Sequence, residues 1–95
     1  MLTVTCDAGV VRFEGELDVY AVRDAHVALQ PLLEGEGALR ADLSKVEALD
    51  GAGVQLVVWF RRALGARGRV LTLEGALGPV AAQLDFLRLR GGEPC

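Results

Sequence analysis

The chain has 95 residues and a mass of 10.1 kDa, the size of one domain. Apolar residues make up 52% of it, aromatics only 5%, and the formal net charge is −3, so the core is aliphatic, intrinsic disorder is excluded and nucleic acid is disfavoured as the main partner. No run approaches the roughly 20 apolar residues of a bilayer span, and the first residues lack the basic-then-apolar pattern of a secretory signal.

Charge is unevenly spread. Residues 1–50 carry ten acidic and four basic side chains, whereas residues 51–95 carry three acidic and six basic ones. Such asymmetry suits the steering of a protein partner. Cys6 and Cys95 stand at opposite ends of the chain with no CxxC. Pairing of the two stays open, and the expectation is a reduced, cytoplasmic protein.

In chain order, residues 2–6 alternate as a strand does, Asp7-Ala8-Gly9 reads as a turn, and residues 10–15 read as the second arm of a hairpin. Asp18 is placed as the cap of a first helix. After it, Val22, Ala25, Leu29 and Leu32 recur at helical spacing, and Pro31 predicts a kink or an end near Gln30. Residues 38–43 give a third strand and residues 44–49 a loop. A second helix is predicted over residues 51–67, stopped by Gly68, and residues 69–74 form a fourth strand. Gly78-Pro79 opens a third helix with Val80, Leu84 and Leu87 inward, and residues 91–95 form a loose tail after a single domain of residues 1–90. The order β-β-α-β-α-β-α predicts an α/β fold with a mixed sheet of four to five strands and about three helices, mainly on one face.

The segment from Asp42 to Leu56 is the most informative. Asp50 sits at the cap of the second helix, and Gly51, Ala52 and Gly53 leave its first turn almost free of side chains. Amides at such an end carry partial positive charge. They suit an anion or a partner's carboxylate, or else Asp50 simply caps and the glycines simply allow tight packing.

Gly15-Glu16-Leu17-Asp18 before one helix, with Asp42-Leu43-Ser44 and Leu49-Asp50-x-x-Gly53 before the next, resembles the STAS domain. This is the module of anti-sigma factor antagonists, and it also occurs at the cytoplasmic ends of sulfate transporters. The likeness covers residues 10–89, and the fold it implies matches the element order. It implies a non-catalytic regulator that binds a kinase-type anti-sigma factor, with Asp18 and Asp50 as the two motif aspartates. In regulatory members the second residue after the latter aspartate is a phosphorylated Ser or Thr. Here it is Ala52, preceded by Gly51, so neither position offers a hydroxyl. Ser44 is the nearest one in sequence. Two other settings fit the same resemblance: a STAS subunit bound to the ATPase of a lipid-transport ABC system, and a chemotaxis-linked regulator. Nucleotide binding, known for some members, has no phosphate loop to support it here.

Along the second helix, Val54, Val57, Phe60, Arg61 and Leu64 form one side by helical spacing, and Ala52, Gln55, Trp59, Arg62 and Ala66 form another stripe. Gln55, Trp59 and Arg62 are candidates to extend the partner face, because Trp and Arg concentrate at interface hot spots. The competing reading packs Trp59 under a neighbouring element. His26, the only histidine, is expected to be solvated on a polar flank. Arg61, Arg62, Arg67 and Arg69 are expected to surround a solvated helix end. Nothing in the pattern nominates a metal site, a cofactor or a catalytic set, so an enzyme is not expected.

Overall fold

The computed structural model describes residues 1–76, 78 and 80–82. Strands β1 (Thr3–Asp7) and β2 (Val10–Leu17) pair antiparallel across a two-residue turn in which Ala8 and Gly9 have φ of 52° and 79°. Positive φ at both positions matches the turn's twist to that of the strands, and Gly9 takes it without strain. Helix α1 (Val22–Leu29) and a 3-10 turn (Gln30–Leu33) return the chain to β3 (Leu39–Leu49), parallel to β2. Helix α2 (Gly51–Gly65) then leads to β4 (Leu71–Glu74), parallel to β3. The four strands lie in the order β1-β2-β3-β4, a mixed sheet as predicted.

One sheet face is apolar. Val11, Phe13 and Leu17 of β2, Ala41 and Leu43 of β3, and Leu71 and Leu73 of β4 are buried with Leu29 of α1 and Leu56, Val57 and Phe60 of α2. Each large aliphatic side chain so buried contributes roughly 1.5–3 kcal/mol. Arg12 and Glu14, on the alternate positions of β2, are exposed, as is Arg40 on β3. Ala76 and Val80 join the core, and residues 78 and 80–82 are helical where the third helix was expected. Pro79, Leu84, Leu87, Cys95 and the expected tail of residues 91–95 lie outside the described residues.

Several expectations need correction. Residues 44–49 are not a loop but the second half of β3, in which the register with β2 shifts twice, between Arg12 and Glu14 and between Gly15 and Glu16. Each shift adds a residue to β3 and breaks strict alternation, so the segment lost its strand signature. Pro31 does end α1 as an α-helix, but the chain continues as a 3-10 turn with proline at its start, where no amide is needed. Helix α2 ends at Gly65, two residues before the expected end, and Gly68 takes φ of 71° in the turn that follows.

The arginines are not all solvated. Arg62 and Arg67 are exposed, but Arg61 and Arg69 are buried. The Arg69 guanidinium donates to the carbonyls of Leu32 and Gly37 at 2.8 Å and of Leu33 at 3.2 Å, with Glu34 at 3.3 Å and Glu36 at 3.5 Å. It satisfies carbonyls left open where the 3-10 turn ends and fastens that turn to the start of β4.

Candidate functional site

The amino end of α2 forms against the ends of β2 and β3. Asp50 leaves the strand in an extended conformation, and its Oδ1 accepts the Gly53 amide at 2.9 Å, a side-chain cap. Its Oδ2 accepts the Val19 amide at 3.0 Å, which ties the β2–α1 loop to the same point. Both carboxylate oxygens are therefore committed to backbone amides. These bonds, the one from Gly53 foremost, hold the Asp50 carboxyl below the usual carboxylate range.

Gly53 is required by packing. A Cβ there would run into the carbonyl oxygen of Leu17 and stand 2.8 Å from Leu49 Cδ1. It is buried beneath the turn and presents no side chain outward. Gly51 is exposed with open space around it, and Ala52 is half-buried. Of the three positions of this nearly side-chain-free turn, two are accessible and one is internal.

Asp18 does not cap α1 itself, whose N-cap residue is Ala21 with no side-chain bond. It acts one turn earlier: Oδ1 accepts the amides of Tyr20 and Ala21 at 3.0 and 3.1 Å, and its carbonyl accepts those of Ala21 and Val22. The loop so fixed displays Val19 and Tyr20, which are 57% and 90% exposed. The two motif aspartates thus meet through Val19, whose amide belongs to Asp50 and whose turn belongs to Asp18.

Gln55 and Trp59 continue from Ala52 along α2. With Val22, Arg23, His26 and Val27 of α1 they line a shallow groove of about 830 Å³, together with Gly51, Ala52 and Leu56. Arg62 lies beyond Trp59 beside a second hollow shared with Val58 and Ala63, so it does not enter the groove. Trp59 is half-buried, and the His26 ring lies against it with centroids 4.1 Å apart and planes tilted by 36°. His26 is consequently not the solvated residue expected; it is half-buried between the helices. The signal available was its spacing: His26 lies one turn beyond Val22 on the flank of α1 that meets α2. Both readings of Trp59 hold in part, since one neighbour covers it while it still lines open grooves.

Ser44 is exposed on β3, and its amide donates to Asp42 Oδ1 at 2.9 Å. Hydrogen bonds from the Ser44 hydroxyl and amide hold Asp42 below the usual carboxylate range. Among the described residues no group of three or more His, Cys, Asp or Glu side chains could hold a metal ion, and no helix is long and apolar enough to cross a membrane.

The sequence matches the family described as "Mlab, STAS domain" over residues 2–91. No curated protein matches it significantly. Among solved structures, the unphosphorylated anti-sigma factor antagonist SpoIIAA is similar, with a TM-score of 0.79 at 21% identity, covering 97% of this chain and 84% of that one. A sulfate transporter family protein from Wolinella succinogenes gives a TM-score of 0.71 at 17% identity, with 90% and 71% covered. An antisigma-factor antagonist STAS domain from Rhodobacter sphaeroides gives 0.64 at 20% identity, with 79% and 85% covered. At these identities the structural likeness is one of fold.

Proposed function

The chain belongs to the STAS domain family, and from that premise we propose that it is a non-catalytic docking regulator of the anti-sigma factor antagonist type. Its docking surface comprises the accessible residues Gly51 and Ala52, set by Asp50 and Gly53, with Asp18 and its loop, Gln55, Trp59 and Arg62. The partner is a kinase-type anti-sigma factor in the cytoplasm, and the docking domain occupies residues 1–90. One observation carries the reading: the amino end of α2 is accessible, internally capped and without a hydroxyl at residues 51–53. A phosphoryl group there would add about −1.5 to −2 charges and repel a seated partner. With glycine and alanine at these places docking is constitutive, governed by the amount of protein or by the partner.

The missing hydroxyl also favours a second reading, a permanently seated STAS subunit of a lipid-transport ABC system, which needs no release step. Affinity capture of the tagged chain from its native cell separates the two. A histidine-kinase-like anti-sigma factor is the expected catch. An ABC ATPase with its permease would replace the first reading by the second, and chemotaxis proteins would replace both.

A further inference from the structure

Helix α1 separates two hollows of opposite character. The cleft between α1 and β1 is rimmed by Glu16, Asp18 and Asp24, with the Met1 ammonium paired to Glu16 at 3.0 Å, so carboxylates still outnumber cations there. The groove between α1 and α2 carries Arg23 and His26 and, among the described residues, no acidic side chain. In a chain half where ten acids outnumber four bases, a groove lined by one of those four bases is a local reversal of charge. The Asp50 carboxylate, held in its charged form by two backbone amides, is not among the residues that line the groove.

The groove is also apolar and incompletely covered. Val27 is 65% exposed, Val22 and Trp59 are half-buried, and Leu56 forms part of the lining. Its form is open rather than enclosed, whereas small-molecule sites bury roughly 70–90% of a ligand's surface. A chain segment can lie along it and cover Trp59, a residue type concentrated at interface hot spots.

We propose that this groove seats an acidic, apolar segment of the partner protein, an aliphatic or aromatic side chain resting on Leu56 and Trp59 and a carboxylate facing Arg23. The inference rests on the docking reading above and adds to it the chemistry of the partner's contact. A basic segment is instead drawn to the opposite flank of α1, where the carboxylates lie.

Random peptides displayed against the intact chain test this without knowledge of the partner. The chain has a single Trp, so indole fluorescence reports binding beside Trp59, and sensitivity to Arg23→Glu assigns that binding to this groove rather than to the hollow beside Arg62. The expected selection combines Asp or Glu with Leu, Ile, Phe or Trp, and the selected peptides shift Trp59 emission. Arg23→Glu, an exposed change whose folding is verified by thermal melting, weakens them by roughly tenfold, about 1.4 kcal/mol. Replacing the peptide's acid by lysine recovers most of that loss. Enrichment of basic peptides, no enrichment, or binding indifferent to Arg23→Glu and silent at Trp59 overturns the proposal. Such failure leaves capture of an anti-sigma factor untouched, and failed capture leaves the peptide result standing, so the two ideas fall separately.

Discussion

The two helix starts of the molecule follow one motif logic and reach opposite ends. Each is preceded by an aspartate, yet the start of α2 is locked and that of α1 is displayed. Gly53 in α2 rests directly on the carbonyl of Leu17, and Asp50 caps the same turn. Before α1, Asp18 shapes a loop that ends with Val19 and Tyr20 in solvent. Asp50 spans both, because its second oxygen holds the Val19 amide. The capped start of α2 therefore serves as the anchor from which a projecting loop is hung, and the surface proposed for docking is shaped by bonds from the Asp18 and Asp50 carboxylates to backbone amides.

The largest effect should come from filling the locked side. Gly53→Ala forces a methyl group against backbone and is expected to cost about 3 kcal/mol in urea unfolding. Gly51→Ala, two residues away in open space, should stay within about 1 kcal/mol of the wild type. Equal losses at the two glycines would erase the distinction between anchor and accessible turn.

Asp50 comes next, and its effect depends on pH. Its carboxyl ionises more readily in the folded chain than at the ordinary value of about 3.9, chiefly because of the Gly53 amide. The stability it supplies is therefore complete above the unfolded pKa and disappears as pH falls through the lower folded one. Asp50→Asn should flatten part of the acid limb of the stability curve, to which Asp42, shifted in the same direction, adds its own share. An unchanged acid limb would detach Asp50 from the anchor. Smallest is Asp18→Ala, expected to cost about 1 kcal/mol while increasing amide exchange at residues 20 and 21. A loss as large as that at Gly53 would mean that the displayed loop is locked as well.

Much of this was legible in the sequence. Asp50, the side-chain-free turn and the apolar side of α2 were visible because capping and helical periodicity act over a few residues, and the β1–β2 hairpin was visible from the alternation of residues 2–6 and the turn that follows. What escaped depends on distant partners. Residues 44–49 hid as a strand because the register shifts against β2 break alternation. Arg69 looked like a surface cation because its acceptors, the carbonyls of residues 32–34, 36 and 37, are more than thirty residues away. His26 read as solvated because only the packing of α1 on α2 brings Trp59 against it. Asp18 was correctly seen as a capping group but placed one turn too close to its helix.

The central claim is that the accessible turn at residues 51 and 52 docks without a phosphorylation switch. The most direct measurement is the affinity of the chain for the kinase-type anti-sigma factor proposed as its partner, before and after incubation with ATP, with mass spectrometry of residues 50–53. Unchanged affinity and no added phosphate are expected in the wild type, whereas Ala52→Ser should gain a phosphate and bind about tenfold or more weakly. Phosphate on residues 50–53 of the wild type, or an Ala52→Ser chain that docks yet is never phosphorylated, would contradict it.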